Sequence, residues 1–200
     1  MLEFFLAKKK KTGAAPFIGA SSFDGVSSAS VVMPAGVAAG DFLLMIADAV
    51  GTVTVPSGWT NFSNTGWSYS YNRKLMYKIA GAGETNFTLG QSGAYEIIGS
   101  ILAYRGPTQI VAYSNQESRT TYTYPSLTAT SSGSILVTHA TDRSPSIPTI
   151  PAGETSRATY FGSYFGFRAS DEAVNSGATG TRTSSGGSTY NGYYSGILIA

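Results

Sequence analysis

The chain has 200 residues, 42% of them hydrophobic, enough for the core of one domain or two small ones, while only 12% are charged, about half the usual share. It has no cysteine, which excludes disulfide frameworks, thiolate nucleophiles and zinc–thiolate sites. The net charge of +2 belongs to the first residues: Lys8–Lys11 and Glu3 carry +3 between them, leaving the remainder at −1 without the basic cluster that nucleic-acid binding requires.

Residues 1–15 read as an N-terminal arm. Leu2, Phe4, Phe5 and Leu6 run into Lys8, Lys9, Lys10 and Lys11, and Gly13-Ala14-Ala15-Pro16 makes a short joint. A secretory signal places its positive charges before a longer apolar stretch, the reverse of this order. No run approaches the roughly 18 apolar residues of a membrane span, so no stable membrane insertion is expected. One short apolar patch beside four lysines supports weak, reversible membrane attachment at best. An apolar head too short to fold alone is a liability if left exposed. The arm is therefore expected to dock on another protein, its apolar side chains filling a groove or adding a strand and its lysines meeting an acidic rim. The alternative is a solvated tail.

From residue 16 to residue 200 the pattern is β. Gly and Pro punctuate runs rich in Val, Ile, Tyr, Phe and Thr, and no segment sustains a capped 3.6-residue period. Strands are expected at Pro16–Phe23, Ser27–Met33, Asp41–Ala49, Arg73–Ile79, Asn86–Leu89, Glu96–Tyr104, Ser134–Ala140, Tyr164–Ala169 and Tyr193–Ile199. A repeat runs through them. Ala39–Ala49 aligns with Ser132–Asp142, Val55–Thr60 with Ile150–Thr155, and Gly99–Tyr104 with Ser195–Ala200, at offsets of 93, 95 and 96 residues. The expected fold is an all-β antiparallel sandwich, jelly-roll-like, built from half-repeats of about 34–106 and 127–200. Each half would contribute strands with one apolar face, packed against the other half.

Glycine precedes a carboxylate at Gly40-Asp41 and Gly83-Glu84, where a tight turn requires positive φ and a side chain that accepts turn N–H groups. Pro56 and Gly58 frame another turn, after which Trp59 is expected to fold back over the core edge. These residues, with Pro34, Gly36, Ala103, Tyr104, Arg105 and Gly106, make up a set running from "MPAGVAAGDFLLMIADAVGTVTVPSGWTNF" through "RKLMYKIAGAGETNFTLG" to "GSILAYRG". That set resembles the β-sandwich domains of tailed-bacteriophage and prophage virion proteins, found in tail, fibre and particle-surface components. The likeness covers Pro34 to Gly106. It implies a virion location, capsid or tail subunits as partners, and a homo-oligomeric assembly.

Little in the sequence points to chemistry. His139 is the single histidine, and with Asp142 and a serine it completes a Ser-His-Asp set on paper, but no strained nucleophile turn accompanies it. A strand-end histidine bonded to a turn is the expectation. Asp171, Glu172 and Asn175 form the densest acidic group, without calcium-loop spacing, and are expected in a solvated loop. No enzymatic activity, cofactor or metal is expected. Trp67, Tyr69 and Tyr71 alternate with small polar residues, which in an extended chain puts three rings on one face; Tyr122 and Tyr124, and Tyr190, Tyr193 and Tyr194, add to the supply. Core packing, a protein interface and a host-surface glycan site remain the three readings of these rings.

Overall fold

Two apolar runs, Phe42–Val50 and Glu96–Tyr104, set the architecture, because in both nearly every residue is buried instead of every second one. A computed structural model describes residues 16–66, 71–144, 146–186 and 192–200. The first half contains β1 (Phe17–Val26), β2 (Ser28–Val31), β3 (Phe42–Val50), β4 (Thr60–Gly66), β5 (Tyr71–Ile79), β6 (Phe87–Gly90) and β7 (Glu96–Tyr104). The second half contains β8 (Ile110–Ser118), β9 (Thr121–Tyr124), β10 (Thr128–Ala129), β11 (Ser134–Asp142), β12 (Thr155–Phe161), β13 (Gly166–Val174), β14 (Gly177–Ala178), β15 (Arg182–Ser185) and β16 (Gly192–Ile199). All pairings are antiparallel, and no helix occurs among the described residues.

Each half makes its own five-stranded sheet, in the order β1-β7-β3-β5-β4 and, for the second, β8-β16-β11-β13-β12. The two orders correspond strand for strand. Each half also carries a two-stranded flap, β2-β6 or β15-β9. The correspondence runs from Phe17 and from Ile110, wider than the stretches legible as a repeat. It extends to an irregularity: β4 and β12 each hold an extra residue against their partner strand, Phe62 and Arg157. Both strands lie at a sheet edge, and a bulge there blunts further pairing. Both extra residues reach across to the other half, Phe62 to Tyr113 on β8 at a ring distance of 5.0 Å and Arg157 over the Phe17 ring on β1 at 4.3 Å. Each of these contacts falls on the first strand of the opposite half, at different positions along it.

The halves meet through the inner faces of their sheets. Phe42, Leu44, Ile46, Leu75, Ile98 and Leu102 from the first pack with Ile135, Val137, Phe167, Ala169, Ile197 and Ile199 from the second. The outer face of the first sheet is buried too. Leu43, Met45, Met76, Ile97 and Ile101 lie with Ala29, Val31 and Leu89 of the β2/β6 flap in a second core. The expectation of one apolar face per half is therefore corrected. The protein has four layers, and the central strands of the first half are apolar on both sides because both sides are covered. Burying such a side chain stabilises by about 1.5–3 kcal/mol.

Strands missing from the sequence reading, notably β4, β8, β12 and the short β9 and β15, lie at sheet edges or in flaps. Partial exposure there lets Asn, Ser, Thr and Gln occupy strand positions and mutes the apolar signal. The turns match expectation. Gly40, Gly58 and Gly83 have φ of 91°, 79° and 72°. Asp41 accepts the Ala38 N–H at 2.8 Å, and Glu84 accepts the Gly81 N–H at 2.7 Å. Trp59 folds over the core beside Phe87 at a ring distance of 6.0 Å.

Gly99 on β7 tests the double burial. A Cβ there would meet the Ile46 carbonyl oxygen at 2.1 Å and the Phe23 ring at 2.6 Å. Gly99→Ala is expected to destabilise the protein by about 1–3 kcal/mol. Gly90→Ala, where a Cβ meets nothing within 4 Å, is expected to stay within about 0.5 kcal/mol of wild type. Chemical denaturation of both variants checks the pair.

Candidate functional site

Asp48 continues the inner-face series Phe42, Leu44, Ile46, so strand alternation carries a carboxylate into the interface between the halves. Arg73 stands opposite it on β5. From the second half β11 brings His139 and Thr141, and β16 brings Ser195. Arg73 Nε donates to Asp48 Oδ1 at 2.8 Å and Nη2 to Oδ2 at 3.4 Å. His139 Nε2 lies 3.0 Å from Asp48 Oδ2, the Thr141 hydroxyl donates to the same oxygen, and Arg73 Nη1 donates to Ser195 Oγ at 3.4 Å. Asp48 and Thr141 occupy equivalent positions in the aligned halves, so their contact lies close to the local two-fold.

All five side chains are at most 1% exposed. Burial alone would raise the Asp48 carboxyl, but Arg73 and His139 outweigh it and hold it at about 2. Burial and then the Arg73 charge push His139 down to about 4, so its ring is neutral at pH 7. Asp48 thus balances Arg73 as a buried ion pair, with the neutral imidazole and two hydroxyls completing its bonds.

The connectivity Ser195–His139–Asp48 is that of a triad, with Ser195 Oγ 3.4 Å from His139 Nδ1. Its location differs from that of a working triad. The serine lies in the closed interface and also accepts from Arg73, so a substrate would reach it only by parting the two sheets. What the cluster does chemically is key one half to the other. Two expectations are corrected here. His139 sits within β11, not at a strand end, and its carboxylate partner is Asp48, ninety-one residues earlier. Asp142 lies beside Ser144, 3.2 Å from its hydroxyl.

The other sequence candidates separate. Leu2, Phe4, Phe5, Leu6 and Lys8–Lys11, with Trp67, Tyr69 and Tyr190, lie outside the described residues. Tyr71, Tyr122 and Tyr124 are buried, which removes them from any exposed interface or glycan surface. Tyr71 stacks on Tyr193 at 4.2 Å in the inner core, and Tyr122 and Tyr124 close on Tyr194 beneath the second flap, each at 5.1 Å. Each ring faces a covered layer, so core packing is the reading that holds for these three. Asp171 and Glu172 belong to β13, not a loop, and face opposite ways. Asp171 accepts from Arg157 and from Tyr104, each at 2.8 Å, while Glu172 pairs with Arg182. Adjacent strand residues on opposite faces cannot share one ion.

The exposed rings are ones the sequence reading passed over. Val26, Tyr95, Phe161 and Tyr164 are the four most exposed large apolar side chains among the described residues. Glu96 is the hinge of this end. It pairs with Val26 across β1 and β7, follows Tyr95, and accepts the N–H groups of Ser163 and Tyr164 at 3.0 and 2.9 Å. The signal in the sequence was "FGSYFG", three aromatics around a tight turn, of which Phe161 and Tyr164 are exposed and Phe165 is buried, a division legible only once the neighbours were known. No family model matches the chain, and neither does any curated protein or solved structure.

Asp48→Asn leaves Arg73 as an uncompensated buried charge, and a loss of about 3–5 kcal/mol is expected in denaturant titrations. The imidazole gives a pH test. Because folded His139 resists protonation, its contribution is full above the unfolded value of 6.5 and is lost as pH falls toward about 4. The stability difference between wild type and His139→Gln is expected to move against wild type across that window and to be constant above it.

Proposed function

We propose that this chain is a non-enzymatic structural accessory protein of a tailed-phage virion, attached to capsid or tail subunits through its N-terminal arm and acting there as a decoration, cement or attachment component, in more than one copy. The sandwich as a whole is read as jelly-roll-like, with an interior that serves stability. The working surfaces are then the ends.

The observation that carries this reading is polarity along β1. Its first residue, Phe17, pairs with Tyr104, and its last, Val26, pairs with Glu96. The start of β1 at Phe17 therefore lies at one end of the sheet, and the exposed set of Val26, Tyr95, Phe161 and Tyr164 lies at the other. One end suits mounting and the other suits contact. The low charge of the body is in keeping with packing among neighbours, and the resemblance over Pro34–Gly106 supports the virion setting.

A second reading, a receptor- or carbohydrate-binding tail module, is favoured by the same exposed rings. Aromatic faces with polar edges suit stacking on a sugar as well as a wet protein interface. Its candidate rings are Tyr95, Phe161 and Tyr164, in place of the buried tyrosines.

Co-sedimentation of the full chain with separated heads, tails and host cells tests both. Binding to heads or tails is expected, reduced at least about tenfold by the double substitution Phe4→Ser and Phe5→Ser and unchanged by Tyr164→Ala, since a buried apolar anchor is worth about 1.4 kcal/mol or more. Binding to cells that survives the arm substitutions and disappears with Tyr164→Ala would establish the second reading and overturn the first.

A further inference from the structure

The two halves differ most sharply beneath their flaps. In the first, Met45, Met76 and Ile101 lie side by side on β3, β5 and β7 under an apolar flap, and Trp59 plugs the layer. Register places Thr138, Ser170 and Gly196 at the equivalent positions of the second half. The turn that delivers Trp59, closed by Trp59 N–H to the Pro56 carbonyl at 3.2 Å, recurs as Glu154 N–H to the Pro151 carbonyl at 3.2 Å. Glu154 is thus the counterpart of the tryptophan plug.

Its carboxyl is met by hydroxyls alone. Thr138 and Ser170 bond to Oε2, the serine at 2.8 Å, while Oε1 is buried without a hydrogen-bond partner among the described residues. No cation is bonded to it among the described residues. Arg182 on β15 donates to Glu172 on β13 at 2.6 Å, and Tyr124 on β9 shares a hydrogen bond with Ser184 at 3.2 Å. Arg168 on β13 has a buried Nε with no partner, and it interacts with Tyr124. The loop carrying Glu154 is stitched to the flap, since the Thr149 N–H reaches the Ser185 carbonyl at 2.9 Å and the Ser185 N–H reaches Thr149 Oγ1 at 2.7 Å.

We propose that Glu154 is a proton-operated latch for the β9/β15 flap: protonated, it keeps the flap closed on the second sheet, and loss of its proton lets the flap open while the two sheets stay joined. A carboxyl buried away from water, with Glu172 nearby and no cation bonded to it, favours its uncharged form. Burial is the largest contribution, holding the group at about 7 against the pull of the two hydroxyls. An opened flap returns the carboxyl to water, where it ionises as an ordinary glutamate. Opening therefore becomes easier as pH rises from about 4.5 to about 7, and levels off above that. The first flap has Trp59 in the position of Glu154 and serves as an internal control.

Hydrogen exchange resolved to individual strands, corrected for the intrinsic pH dependence of amide exchange, tests the latch in the full chain. Protection at 121–124 and 182–185 is expected to fall by up to about tenfold per pH unit between pH 5 and 7, with protection at 28–31 and 87–90 constant. Glu154→Gln, which keeps the acceptor oxygen but cannot titrate, is expected to abolish the slope. A flat wild-type profile, equal slopes in both flaps, or a slope that persists in Glu154→Gln would overturn the proposal. Should the glutamine variant fail to fold, comparison of the two flaps within wild type decides the matter alone.

Discussion

A guanidinium buried between two sheets imposes a condition on everything around it. Arg73 ranks first among the largest fully buried side chains, and its charge requires a carboxylate at bonding distance, with that carboxylate's remaining lone pairs satisfied as well. Asp48 meets the first requirement from the neighbouring strand. The second is met only from the other half, by His139 and Thr141. Apolar packing alone tolerates small shifts of one sheet over the other, because Leu against Ile is nearly as good as Leu against Val. The polar key does not, since a displacement of one residue would separate Asp48 from His139 and leave buried charge unmet. It thereby sets the register in which the halves meet.

That register explains the burial of everything outside it. With the inner faces matched, the outer face of the first sheet would stand exposed as a large apolar surface, a strong drive toward aggregation. The β2/β6 flap folds over it, and the second half carries a two-stranded flap of its own. The result is four layers from 200 residues, with the edge strands bulged at the same place in both halves and each bulged side chain used as a clasp on the opposite half. Repetition of topology has not meant repetition of chemistry. Where the first half places Trp59 in one layer with two methionines, the second places Glu154 on two hydroxyls of its own sheet.

Much of this was legible in the sequence where the determinant is local. Positive φ at Gly40, Gly58 and Gly83 follows from turn chemistry, and so do the carboxylates of Asp41 and Glu84 bonding back to the turn. The antiparallel all-β class follows from the punctuation and the lack of a helical period, and the aligned motifs disclosed that the halves were alike, although the strand register sets Gly99–Tyr104 one residue away from the third alignment. Edge strands were missed because their half-exposed faces admit polar residues. The tyrosines were the hardest to place, since Tyr71, Tyr122 and Tyr124 alternate with small polar residues just as surface rings would.

By itself, then, the sequence determined class, turns and repetition, each governed by contacts within a few residues. Tertiary structure alone decided which faces are covered, that Asp48 rather than Asp142 partners His139, that Asp171 and Glu172 point apart, and that the exposed rings are those gathered around Glu96. These depend on which strands lie side by side and which layer lies above. The energies involved, desolvation of charge and coverage of apolar surface, belong to neighbours brought together from distant points of the chain.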